Sequence, residues 1–250
     1  MTKRNQRQVV NDRRAKKEEV GVQEKVFSNV NTRPPLKPMN DKQKDYISAI
    51  NHCPVVISIG VWGSSKSFIP ATIAADWLMD KKIKKVIIAR PAEGKGKTVG
   101  LLPGSLNEKL EVWTAPITDT MKERMGGSHF QAMLENGKIQ LMALEHLKGR
   151  SWDDCLVLID EAEDIDPEVA KSLVGRQGIN TTTVITGDLA QQDLKRHSGL
   201  QLLLDVAEYA GMNIPIINFD SWDYCVRSEE AKAWGIAFQK YENRNKELSV

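Results

Sequence analysis

The sequence predicts an α/β fold of three layers built on a mainly parallel central sheet, and three observations predict it. Short apolar runs at 54–59, 85–89, 138–142, 156–159, 182–186 and 214–219 carry no polar alternation, which is the pattern of strands covered on both faces. Segments with helical spacing fall between most of these runs, and such alternation builds a parallel sheet with helices packed against it. Finally, Gly60, Arg90, Asp160 and Gly187 each follow a strand candidate. Four separated segments would therefore meet beyond the carboxyl ends of the strands, where folds of this kind bind their ligands.

Taken in order, residues 1–35 lack sustained apolar periodicity and end in Arg33-Pro34-Pro35, which favours extended backbone. They read as a basic, flexible arm, because residues 1–20 hold seven Lys/Arg against three acids. The folded domain is expected over 36–250. Tyr46, Ile47 and Ile50 have helical spacing over 41–51, with Asn40 or Asp41 available as a cap. A helix over 67–79 tolerates Pro70 within its first turn. A Gly- and Lys-rich loop is expected over 91–104, helical structure over 105–136, and further helices over 167–174 and 200–210.

Two segments carry chemistry. In Val56-Ile57-Ser58-Ile59-Gly60-Val61-Trp62-Gly63-Ser64-Ser65-Lys66-Ser67 an apolar strand runs into a loop of small residues and then Lys-Ser at a helix start. Such a loop is a phosphate cradle, in which backbone N–H groups, the helix N-terminus and an ammonium all face the anion. Gly60, Gly63, Ser64, Ser65, Lys66 and Ser67 would line it, with Lys66 on the β- and γ-phosphates and the Ser67 hydroxyl on Mg²⁺. The pattern G-x-x-x-x-G-K-[ST] has Gly where this chain has Ser65. A Ser there is expected to take an ordinary helix-start conformation and cap the following N–H groups. The second segment, Cys155-Leu156-Val157-Leu158-Ile159-Asp160-Glu161-Ala162-Glu163, places Asp160 at the end of a buried strand, where it would hold Mg²⁺ through water. Glu161 would then polarise an attacking water. The pair predicts a P-loop NTPase that uses ATP and Mg²⁺.

Composition bounds the rest. A chain of 250 residues with 41% hydrophobic content can bury one substantial core, and a net charge of +2 gives no general case for nucleic acid. Cys53, Cys155 and Cys225 are odd in number and widely spaced, which supports neither a disulfide framework nor a metal site and suits a reducing cytoplasm. No apolar run approaches the ~20 residues that would span a bilayer, so no membrane partner is expected.

With these segments in order, the chain resembles the PhoH-like proteins, P-loop ATPases with a RecA- or superfamily 1 helicase-like core. The resemblance covers roughly 36–241. It rests on Asp41 to Tyr46, Arg90-Pro91-Ala92, Gly100 to Gly104, Lys148 to Ser151, Asp160-Glu161-Ala162, Thr186 to Leu194, Ser198-Gly199-Leu200 and Val226-Arg227-Ser228. It implies Gln43 as an adenine reader, with Tyr46 either stacking on the base or lying in the core. It also implies Asp188 and Gln191 in a loop facing the γ-phosphate, where Gln191 could orient water. An arginine finger would be Arg150, Arg196 or Arg227, with Arg227 favoured, and could act from a neighbouring subunit of a ring, a hexamer. The expected partners are ATP, further copies of the chain, and RNA or single-stranded nucleic acid, with Arg90, Lys95 and Lys97 as candidate contacts. Members of this size occur in bacteria and their phages. Glu163 departs from the Gln usual after Asp-Glu-Ala, and is expected to add negative charge beside phosphate. Asp164 and Asp166 would add to that field, or all three acids would point to solvent. Two other readings stay open: a nucleotide-binding regulator or scaffold with little hydrolysis, and a small-molecule kinase.

Overall fold

Six strands form one all-parallel sheet in the order β5-β2-β6-β7-β1-β8: β1 Val55–Gly60, β2 Lys85–Arg90, β5 Ile139–Ala143, β6 Cys155–Ile159, β7 Thr182–Gly187 and β8 Ile216–Phe219. Two short strands, β3 Glu93–Gly94 and β4 Lys97–Thr98, make a separate antiparallel ribbon within the expected loop. The computed structural model describes residues 33–91, 93–94, 97–98, 106–144, 152–191 and 198–247. Most of the basic arm, the blocks 100–104, 148–151 and 192–194, and Lys95, Arg150 and Arg196 lie outside the described residues, as does the Lys97 side chain. By internal contact the chain divides into Met1–Pro35 and Leu36–Val250, and the second unit holds everything below.

Successive residues of the inner strands point to two different cores. Val56, Val86, Ile88, Leu156, Leu158 and Val184 belong to one, whereas Ile57, Ile87, Ala89, Val157, Ile159 and Ile185 belong to the other. A strand buried on both faces must be apolar at every position, which is why these runs show no alternation. The first core is covered by α1 Asp41–His52, α2 Phe68–Met79, α4 Ala115–Met125 and α5 Gly127–Glu135 through Tyr46, Ile50, Ile69, Ile73, Ile117, Met121 and Phe130. The second is covered by α6 Pro167–Val174 and α7 Gly199–Tyr209 through Ala170, Leu173 and Leu200. The three-layer α/β architecture with a parallel sheet is therefore the one expected, and it suits a P-loop NTPase.

Local chemistry sets the helix ends. Asn40 caps α1 by accepting from the Gln43 N–H, Asp166 caps α6 by accepting from Glu168, and Ser198 caps α7 by accepting from Gln201. The helical stretch expected over 105–136 is three helices: α3 Leu106–Trp113, α4 and α5. Pro116 within the first turn of α4 and Gly126, at φ 86°, mark the two breaks. A last helix, α8 Glu229–Glu247, lies beyond the helices that the sequence pattern predicts. Among the described residues no helix is long and apolar enough to cross a membrane.

Candidate functional site

The loop after β1 is pinned from several sides. The Val61 N–H donates to Phe219 O at the end of β8 (2.9 Å), and the Val226 N–H donates to Gly63 O (2.9 Å). From α1, the Tyr46 hydroxyl donates to Lys66 O (2.9 Å), and the Gln43 amide donates to Ser64 O (3.4 Å) and Ser65 Oγ (3.3 Å). Ser64 is buried and donates to Val61 O (2.8 Å). Gly63, at φ 74°, has no space for a side chain, since a Cβ would meet Cys225 Sγ at 2.8 Å. Tyr46 lies fully in the core, with its phenol held above its ordinary range by burial.

In front of this loop lies a cavity of about 620 Å³. Gly63, Ser65, Lys66 and Ser67 line it from the loop, Asp160, Glu161 and Glu163 from beyond β6, and Gly187, Asp188 and Gln191 from the end of β7 and the turn after it. Arg227 and Val226 close another side, and Trp62, Phe68 and Pro116 supply apolar walls. The structure thus gathers most of the expected site residues into one space, at the carboxyl ends of the strands. Gln43, Gly60 and Ser64 are not among the residues that line this cavity, and Gln43 packs against the loop through Ser64 O.

Lys66 Nζ donates to Gly60 O and to Val61 O (2.7 Å) at the cavity wall. Burial holds this ammonium below its ordinary pKa range, opposed in turn by Asp188, Glu163, Asp160 and Glu161. Ser67 Oγ donates to Asp160 Oδ1 (2.7 Å), so its hydroxyl is turned away from capping α2. Thr186 Oγ1 donates to the same oxygen (2.6 Å), and Arg90 Nε stands 3.6 Å from Oδ2. A hydroxyl and a carboxylate side by side at the cavity floor are hard oxygen donors that fit Mg²⁺, which usually completes its shell with phosphate oxygens and water. Among the described residues no group of three or more His, Cys, Asp or Glu is arranged to hold a metal without such help.

Glu161 takes a left-handed backbone (φ 56°, ψ 44°) at the turn Ala162–Asp164. Its Oε1 accepts from Arg90 Nη2 (2.7 Å), and Arg90 Nη1 donates to Trp113 O (2.6 Å) while the guanidinium lies 5.6 Å from the Trp113 ring centre. Asp188 accepts from the Ala190 N–H (3.1 Å) and from Gln191 Nε2 (2.6 Å), which orders the turn Leu189–Gln191.

Three sequence expectations change here. Ser65 sits at φ 71°, in the left-handed region and not in a helix-start conformation, because the loop must turn Lys66 inward at this residue. Glu163 and Asp164 are buried, so neither points to solvent. Burial, then the hydrogen bond to Glu161 and its charge, push the Glu163 carboxyl up to about 9. The shift favours the protonated carboxyl and so weakens the negative charge expected beside phosphate, while Oε2 accepts from the Asp188 N–H (3.0 Å). Asp166 instead caps α6.

Neither the bond from Thr186 to Asp160 nor the pairing of Arg90 with Glu161 is legible in the sequence. The positions of Thr186 and Arg90 at strand ends were the available signal, and Val226 belongs to the Val226-Arg227-Ser228 block, whereas Phe68 and Pro116 had none. Arg227, considered as a finger for a neighbouring subunit, lines the cavity of its own chain.

Comparison with known proteins gives a consistent picture. The PhoH-like protein family matches residues 35–239. A PhoH-like protein of Bacillus subtilis (strain 168) is 33% identical over 184 residues, 72% of this chain and 57% of that protein. Protein PhoH of Escherichia coli (strain K12) is 32% identical over 198 residues, 78% of this chain and 55% of that protein. A PhoH-like protein of Mycobacterium leprae (strain TN) is 31% identical over 176 residues, 70% and 50% of the two chains. The chain spans about half the length of these curated relatives.

Proposed function

The chain belongs to the PhoH-like protein family, and from that premise we propose that it is a Mg²⁺-dependent ATPase that works on RNA or single-stranded nucleic acid as a ring of identical subunits. The observation that carries the catalytic part is the Ser67–Asp160 pair at 2.7 Å, set beside Lys66 at the end of the parallel sheet. In this reading Lys66 exchanges its bonds to Gly60 O and Val61 O for phosphate oxygens. Ser67 and Asp160 would hold Mg²⁺, with Thr186 keeping Asp160 oriented, and the bound ion would supply charge neutralisation at the phosphate oxygens. Glu161 accepts a hydrogen bond from the attacking water, Gln191 orients that water, and Asp188 fixes the Gln191 amide. Arg227 adds positive charge from the same chain.

A second reading, nucleotide-dependent switching with slow turnover, is favoured by one contact: the Glu161 carboxylate is held by Arg90 and must be released to serve water. One experiment separates the two: phosphate release from Mg·ATP by wild type, Lys66→Ala and Glu161→Gln, with and without single-stranded RNA, alongside the mass in solution. The ATPase reading expects turnover that both substitutions remove, stimulation by RNA and a multimeric mass. Tight ATP binding without phosphate release overturns it in favour of the switch.

A further inference from the structure

Among the described residues that line this cavity, none offers an unengaged side-chain amide to the edge of a base. Gln43, the residue whose amide could pair with an adenine edge, is 2% exposed and does not line the space. Its Oε1 accepts from the Met39 N–H (2.8 Å), and Nε2 donates to Ser64 O and Ser65 Oγ. Both amide hydrogens and one lone pair are therefore engaged within the protein. The Ser65 hydroxyl is a feature of this chain, since glycine at that position would offer no side-chain acceptor. The only amide side chain among the described lining residues, Gln191, donates to Asp188. Among the described lining residues the other uncharged groups are the Ser65 and Ser67 hydroxyls, bonded to Gln43 and Asp160, the glycines Gly63 and Gly187, and the surfaces of Trp62, Phe68, Pro116 and Val226, with Trp62 held edge-on by Trp222 at 4.8 Å between ring centres.

We propose that this site selects the triphosphate and not the base, so that purine and pyrimidine nucleoside triphosphates bind alike, while Gln43 acts as a positioning residue of the phosphate loop. The inference rests on the nucleotide-binding reading above. A pocket that hydrogen-bonds one base edge rejects another base strongly, because buried polar groups would be left unpaired. A stacking surface is indifferent, because every base has a π-face. Gln43 acts at one remove: its bonds to residues 64 and 65 fix the loop from which Lys66 and the loop N–H groups face phosphate.

The test is calorimetric titration of wild type and Gln43→Ala with Mg·ATP, Mg·GTP and Mg·CTP, on protein whose folding is checked by its melting temperature. Wild type should bind the three within about fivefold of one another, as expected for stacking. Gln43→Ala should weaken all three by a common factor, about tenfold for lost loop bonds. A wild-type preference for ATP of more than about a hundredfold, as a hydrogen-bonding base pocket would give, overturns the proposal while leaving nucleotide binding intact. Unchanged affinities in folded Gln43→Ala overturn the positioning role. Binding of none of the three by wild type overturns the nucleotide reading itself, and this one with it.

Discussion

At Ser65 a φ of 71° calls for glycine, and the chain supplies serine. The left-handed region costs a residue with a Cβ about 1–2 kcal/mol, and the 3.3 Å bond that Ser65 Oγ accepts from Gln43 is long. Ser65→Gly should therefore raise stability by roughly 1 kcal/mol, a rise of about 2–4 °C in thermal unfolding. A fall would mean that the Gln43 bond outweighs the strain. Glu163 offers a pH test. Its folded pKa of about 9 lies above the ordinary 4.5, so between those values the folded chain holds a proton that the unfolded chain has lost. The contribution is full below the ordinary value and is lost as pH rises through about 9. Glu163→Gln keeps an acceptor for Asp188 and a donor for Glu161 without the titration. It should be more stable than wild type at pH 8 and should flatten the decline of stability with pH, up to about 1.4 kcal/mol per unit. Denaturant unfolding across pH 5–9 without nucleotide checks this, and parallel curves would refute it. The sequence makes Lys66, Ser67 and Asp160 legible because their types and spacing are tied to phosphate chemistry. It could not show that the Glu163 carboxyl is raised, because burial is a property of the assembled fold.

At the level of elements, buried strands were readable to within a residue or two, since an unbroken apolar run has few other uses. The helices of 105–136 were not separated, because a helical apolar pattern persists through the breaks at Pro116 and Gly126. Helix α8 carries Trp234, Phe238 and Tyr241 at helical spacing, yet all three are exposed and not part of a core face. The helix is anchored instead by Trp222, whose ring lies against Gly235 and whose Nε1 donates to Gln239 (2.9 Å), and by Lys232 on Asp223 (3.2 Å). Helix propensity alone predicts that Gly235→Ala stabilises by about 1 kcal/mol. The structure predicts the reverse, because a Cβ at residue 235 would stand 2.2 Å from the Trp222 ring. A lower melting temperature together with a shift in tryptophan emission is the expected result, and a higher melting temperature would show that this packing is not maintained.

For the whole molecule, convergence of four segments beyond the strand ends was legible, because a parallel sheet brings all its carboxyl ends to one side. The strand order was not. It puts β7 between β1 and β6, so Thr186 reaches Asp160 and Asp188 reaches Glu163 across neighbouring strand ends. Nor could spacing show that residues 225–227 fold back over Gly63 in the same chain. The fold matters to function through this gathering: Lys66, Ser67, Asp160 and Arg227 come from distant parts of the chain and meet at one cavity. The most direct measurement is therefore titration of wild type and Lys66→Ala with Mg·ATP. The account predicts one site per chain in wild type and a loss of at least about tenfold in Lys66→Ala, in keeping with the strength of a charge-assisted bond. Equal affinity in the two proteins would contradict it.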